Sequence, residues 1–132
     1  MAFVLVNRGE VAGLKRLINQ RTPDDCKLRL YSNDLTPVEG TLLSGVTELV
    51  QGGYAAKTLT GANWAVTMVG ATARATYAQY TWNLTGACTS YGYYLTCSGD
   101  AVLLLAERFT SAPFVLPSGG GSIKVTPLID MD

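Results

Sequence analysis

The side chains of this chain that could do chemistry are three cysteines, two adjacent aspartates, one Glu-Arg pair and a run of tyrosines, with no histidine anywhere. Without histidine, neither a Ser-His-Asp nor a Cys-His site can be assembled. A lysine base would need a motif around it, and Lys15, Lys27, Lys57 and Lys124 stand in none. Asp24 and Asp25 are neighbours, and adjacent strand residues point to opposite faces, so they are expected to solvate a loop. Glu107 and Arg108 lie in a strand-like run and are expected to pair with a neighbouring strand. Gly119, Gly120 and Gly121 resemble a phosphate cradle only superficially. Such a loop needs a helix after it and a Lys-Ser or Lys-Thr at its end. Here a strand pattern follows, which predicts a hairpin loop.

The cysteines are Cys26, Cys88 and Cys97, an odd number with no CxxC spacing, so a zinc site is not expected. If residues 89–96 form one extended strand, Cys88 and Cys97 lie roughly 25–30 Å apart at about 3.3 Å per residue. A disulfide needs Cα atoms about 4.4–6.8 Å apart. The three thiols are therefore expected to be reduced packing groups. Tyr91, Tyr93 and Tyr94 are able to stack on sugars or bases. Without a basic groove they are expected to pack a sheet. With Trp64 they keep open one alternative, a carbohydrate-binding module.

The elements that would position these groups are mostly strands. Residues 77–128 contain four runs rich in β-branched and aromatic residues, with turn formers in the gaps. Residues 26–31 alternate apolar and polar, as a half-buried strand does. Residues 54–60 and 63–69 read as strands, residues 46–51 as a helical turn, and residues 70–76 as a bulge or short link. Tyr80, Trp82 and Leu84 share one strand face. Tyr91, Tyr93 and Leu95 share a face of the next strand. The run 97–100 is expected to turn into a central strand over residues 101–109, with Leu103 and Leu105 on one face and Leu104 on the other. Residues 123–128 form the last strand, and residues 129–132 a tail.

Ahead of the strands, Asn7 and Glu10 have the spacing of a helix N-cap and its capping-box acid. Val11, Leu14, Leu17 and Ile18 follow at helical spacing, which predicts a helix over residues 8–19. Its apolar stripe is expected to cover the domain's own sheet, or else to reach a neighbouring subunit. Residues 1–6 form an apolar arm.

The chain has 132 residues, the size of one domain. Apolar residues make up 48%, enough for a core, but charged residues only 15%. About a quarter is usual. Part of the surface is therefore expected to be covered by another protein. Ten basic and ten acidic residues cancel, which argues against nucleic acid and anionic membranes as partners. The longest apolar run, residues 101–106, is far short of the roughly 20 a membrane helix needs. The first ten residues lack the pattern of a signal peptide, and folding in a cytoplasm is expected.

The segments VNRGEVAGLKRLINQ, LRLYSNDLTP and KTLTGANW, with the late block YGYYLT, AVLLLAERF and SIKVTPLI, resemble a family of small virion proteins of tailed bacteriophages encoded among head genes. The resemblance spans nearly the whole chain and carries no catalytic signature. It implies a non-enzymatic structural role without cofactor or metal, as a capsid decoration (cement) protein. Its partner would be the major capsid protein, and its place the capsid surface after synthesis in the host cytoplasm. A tail or neck component is the alternative within the virion. The chain departs from the family pattern at Cys88 and Cys97, where small polar residues are expected.

Together these readings predict a mainly β fold. It is an antiparallel β-sandwich of about seven or eight strands with one N-terminal α-helix, a single domain with the sandwich over residues 26–129. A homo-oligomer, dimer or trimer, is expected. Its interface would use Phe3, Val4, Leu5 and Val6 of the arm, crossing to a neighbour or to the capsid, and the tyrosines Tyr91, Tyr93 and Tyr94.

Overall fold

Alternating apolar patterning pairs into strands here because each strand can bury one face only against another sheet. A computed structural model describes residues 3–18, 20, 24–97 and 102–131. Among them are twelve strands, all paired antiparallel, and one N-terminal α-helix. In chain order they are β1 (Val4–Leu5), α1 (Asn7–Leu17), β2 (Cys26–Tyr31), β3 (Lys57–Leu59), β4 (Ala65–Val69), β5 (Thr72–Thr76) and β6 (Tyr80–Leu84), followed by β7 (Cys88–Ser90), β8 (Gly92–Cys97), β9 (Leu103–Arg108), β10 (Phe114–Leu116), β11 (Gly121–Val125) and β12 (Leu128–Met131).

The largest sheet has the order β1-β9-β8-β2-β3. One face of it carries Leu28, Leu30, Tyr93 and Leu95, packed with Trp82 and Leu84 of β6 and Ile123 and Val125 of β11. This is the main core, and it makes the architecture sandwich-like. The indole N–H of Trp82 donates to the Ala55 carbonyl at 2.7 Å, so the buried ring leaves no donor unpaired. The other face carries Tyr31, Tyr94, Leu103 and Ala106, covered by Val6 and by Leu43 and Val46 of the loop after β2. Strands β6–β11 and β7–β10 form two ribbons, and β12-β5-β4 a separate three-stranded sheet.

The mainly β class with one N-terminal helix is as expected, but the strands are more numerous and shorter. Residues 89–96 are not one strand. Tyr91 separates β7 from β8, which lie in different sheets. Gly92 permits the close approach there: a Cβ would stand 2.1 Å from the Glu107 carbonyl oxygen and 2.6 Å from the Tyr31 hydroxyl. Residues 70–76 are no link but contain β5, and the supposed tail contains β12, which pairs with it. Residues 46–51 form no helical turn. Glu48 bridges Tyr31 in extended backbone, and the short 3-10 turn lies at Leu43–Gly45. Leu103 and Leu105 do not share a face, because a bulge opposite Leu95 and Thr96 places Leu103 in the second cluster and Leu105 in the first. The turn expected at 98–100 lies outside the described residues, as does residue 19, the last of the expected helix.

Candidate functional site

Helix α1 begins one residue earlier than expected, and Asn7 is not its cap. Val6 occupies that position with no side-chain cap bond. The chain enters the helix already fastened by its backbone. The Val6 N–H donates to the Leu104 carbonyl at 3.2 Å, and the Asn7 N–H to the Glu39 carbonyl at 2.9 Å.

The face that α1 turns to the sheet is the small one. Gly9 and Ala12 are its buried residues. A Cβ on Gly9 would sit 2.1 Å from the Leu104 carbonyl oxygen, so the helix backbone lies directly on β9. At 3.6 residues per turn, the stripe of Val11, Leu14 and Ile18 falls on the opposite side. It is open: Val11 is 52% exposed, Leu14 61%, Leu17 81% and Ile18 59%. The expectation that this stripe covers the chain's own sheet is thus corrected. The face of β9 beneath α1 leaves no room for large side chains, and the cluster on that side is closed by Val6, Leu43 and Val46 instead.

A second apolar surface lies on β4. All five of its residues are exposed, Val66, Met68 and Val69 among them. β4 pairs only with β5, so one row of its backbone groups faces outward. Behind it, the Arg74 guanidinium makes two hydrogen bonds to the Asp130 carboxylate at 2.7 and 2.8 Å, joining β5 to β12. That hydrogen-bonded pairing holds the Asp130 carboxyl below its ordinary value.

The residues expected to form an interface are placed differently. Val4 and Leu5 pair with Ala106 and Leu105 of the chain's own β9, and Phe3 packs against the main core. The arm is therefore the edge strand of its own sheet rather than a crossing segment, and Val6 is fully buried. Tyr93 and Tyr94 are also buried, on opposite faces of β8, one in each cluster. The Tyr93 hydroxyl donates to Glu107 Oε2 at 2.7 Å, and burial pushes its pKa up strongly. Burial raises the Tyr94 hydroxyl to about 12, and its ring lies 6.4 Å from that of Tyr31. Tyr91 is half-buried, with the Arg108 guanidinium 5.1 Å from its ring centre. Val6, Tyr93 and Tyr94 are thus corrected from interface to core. Trp64, the fourth aromatic of the carbohydrate alternative, packs edge-on to Tyr77 at 5.2 Å.

Several of the remaining polar groups pair with one another. In a hollow of about 420 Å³ over β2 and β8, the Arg29 guanidinium bonds both Glu48 oxygens at 2.9 and 3.0 Å and Thr96 at 3.1 Å. The Tyr54 hydroxyl donates to Glu48 Oε1 at 2.8 Å. Arg108 forms its ion pair with Asp34 of the loop after β2 rather than with a neighbouring strand, and Glu107 accepts a hydrogen bond from the Tyr93 hydroxyl of β8. Asp25 accepts the Gly61 N–H at 2.9 Å and Asp24 pairs with Arg16, so neither merely solvates a loop. Among the described residues no three His, Cys, Asp or Glu side chains are grouped to hold a metal ion, and no helix is long and apolar enough to cross a membrane.

One constellation escaped the sequence. Cys26 and Cys97 are directly opposite each other on β2 and β8, with Arg16 of α1 against Cys97 Sγ at 3.1 Å. Only the long-range register brings these three together, and spacing along the chain contains no trace of it.

Comparison of the chain with protein-family models, with curated proteins and with solved structures finds no match. What is defined is a class, a mainly β, sandwich-like protein whose only α-helix among the described residues is apolar on its outward side.

Proposed function

We propose that this chain is a non-enzymatic structural protein of a tailed-bacteriophage virion, a decoration (cement) protein that clamps neighbouring major capsid protein subunits from outside the head. The observation that carries this reading is the outward stripe of Val11, Leu14, Leu17 and Ile18 on a helix held to its own sheet by Gly9 and Ala12. Contiguous apolar surface of this kind marks an interaction site. The low charge content and the family resemblance support the same reading. A single interface of roughly 1,600 Å² suffices for specific binding, and many symmetry-related copies multiply it into lattice stability. The exposed edge of β4 supplies a second contact, for a dimer or trimer of the chain itself. The protein would be made in the host cytoplasm and reside on the capsid surface. The carbohydrate-binding alternative lacks an exposed aromatic platform, since Tyr93 and Tyr94 are buried and Trp64 is packed on Tyr77.

Quantitative stoichiometry of purified virions tests the reading. Copies on the order of hundreds per particle are expected of a lattice component. Copies in the tens would move the chain to the tail or neck, and absence from the particle would overturn the virion role. A Leu14→Asp, Leu17→Asp double variant should fold normally and lose head occupancy.

A further inference from the structure

We propose that Cys26 and Cys97 are a redox site, a dithiol that closes into a cross-strand disulfide, with Arg16 as its positioning residue. The two are Cα partners in an uninterrupted stretch of β2–β8 pairing, so their side chains share a face. Backbone bonding fixes the kind of pair. On β2, the Leu30 N–H donates to the Tyr54 hydroxyl at 3.1 Å and the Leu30 carbonyl accepts from Leu49 at 2.9 Å, so both groups point away from β8. Alternation gives Leu28 and Cys26 the same orientation. On β8, the Cys97 N–H donates to the Val102 carbonyl at 3.2 Å, away from β2. Both strands thus identify Cys26 and Cys97 as a non-hydrogen-bonded pair. Such pairs have Cα atoms about 4.5 Å apart. That falls within the range of about 4.4–6.8 Å that a disulfide spans without backbone movement.

One cation serves both sulfurs. Arg16 Nη2 lies 3.1 Å from Cys97 Sγ, and the charge of the same guanidinium acts on the Cys26 thiol. Arg16 is oriented by Asp24, and its Nε is buried without a hydrogen-bond partner among the described residues. A thiolate is the acceptor this guanidinium would favour. Burial raises the Cys26 thiol, the Arg16 charge opposes that rise, and Asp24 and Asp25 add to it. The same positive charge makes the pair a poor cation site. Cys88 is the internal control. It stands on β7 opposite Leu116, away from both other thiols.

The reaction needs a small disulfide of the glutathione class. Cys26, the more exposed thiol, attacks it as the thiolate and releases one small thiol. Cys97 gives its proton to solvent and attacks Cys26 Sγ, releasing the second small thiol. Two electrons and two protons pass from the pair to the reagent. The product ties the start of β2 to the end of β8 across the loop 26–97 and raises the thermal midpoint by constraining the unfolded chain. This chemistry is independent of the assembly reading.

The test equilibrates the purified full chain in glutathione buffers from reduced to oxidised and maps its peptides without reduction. The expected result is the loss of two hydrogens in intact mass, a Cys26–Cys97 peptide, Cys88 still open to alkylation, and a rise of several degrees in midpoint. Cys88→Ser should behave as wild type. Arg16→Gln should slow closure about tenfold and move the pH profile of Cys26 alkylation upward, and Arg16→Lys should restore part of both. Full alkylation of all three thiols in the oxidised buffer would overturn the proposal. So would a glutathione adduct left on Cys26, or a covalent dimer. Because these readouts use the wild-type chain, they stand even where Cys97→Ser fails to fold.

Discussion

Strands β8 and β4 are both largely apolar, yet every residue of β8 is buried and every residue of β4 is exposed. Position in a sheet makes the difference. β8 lies between β9 and β2, with a packed cluster on each face. β4 is an edge, paired on one side only. The same contrast runs through α1, whose Gly9 and Ala12 are buried while Leu14 and Leu17 face outward. The molecule thus has one region whose apolar residues hold it together and another whose apolar residues are left for something else to cover. Low charge content follows from having both.

The contrast breaks most easily at its buried end. Leu95 on β8 is 1% exposed and central to the main core. Leu95→Ala should cost about 2–5 kcal/mol, the sum of lost transfer energy and a residual cavity. Equilibrium denaturant unfolding measures this, and a loss under about 1 kcal/mol would mean that β8 is not the core strand described. The seam between the regions comes next. Gly9→Ala places a methyl 2.1 Å from the Leu104 carbonyl, and the helix must lift off β9. A loss of about 1–3 kcal/mol is expected. It should appear as faster amide exchange in α1 while β8 stays protected. Unchanged exchange would show that the helix does not rest on its glycine.

How far this contrast was legible in the sequence depends on what each residue's fate requires. Alternation in residues 26–31 and 80–84 correctly gave the strands and the inward faces of Leu28, Leu30, Trp82 and Leu84, because period-two patterning is a local property. Helical spacing correctly gave a helix near residues 8–19, but not which side faces in. That side is set by how near β9 lets a backbone come, and the sheet face selected Gly9 over Leu14. β5 was missed because its alternation sets only the small Ala73 and Ala75 between Thr72, Arg74 and Thr76, with no large apolar or aromatic side chain to mark a strand. The strand is held by ladders on both sides and by Arg74–Asp130. Of the expected interface, Leu5 is exposed, Phe3 and Val4 are part of the chain's own edge, and Val6, Tyr93 and Tyr94 are buried. The pairing of Cys26 with Cys97 required a register across some seventy residues, which no local pattern encodes.

At the exposed end the contrast sharpens through smaller effects. Leu14→Ala, Leu17→Ala and Met68→Ala should each change stability by no more than about 0.5 kcal/mol, as surface substitutions do. The chain's buried leucines, truncated the same way, should each cost several-fold more. The exposed variants should instead alter association, read by sedimentation of the free protein and by occupancy on heads. A loss above about 2 kcal/mol from Leu17→Ala would place that side chain in the subunit's own core. The two regions would then not differ as described.

The smallest expected effect concerns what holds the exposed sheet together. Asp130 accepts two hydrogen bonds from Arg74, and this pairing lowers its carboxyl pKa from the ordinary 3.8. A group whose folded pKa is depressed contributes stability that is fully present above the unfolded value and is lost as pH falls through the folded one. The β5–β12 pairing should therefore weaken below about pH 4. The tyrosines of the buried region contribute nothing in this range, since Tyr31 and Tyr94 are pushed up to about 12 and stay neutral in acid. Wild type and Asp130→Asn should differ slightly in stability near neutral pH, and the gap should close as acid protonates Asp130. Carboxyl chemical shifts measure the titration directly, and amide exchange in β12 reports the loosening. An Asp130 carboxyl that titrates at or above its ordinary value would show that the ion pair does not persist in solution. The three-stranded sheet would then be held by its backbone ladders alone.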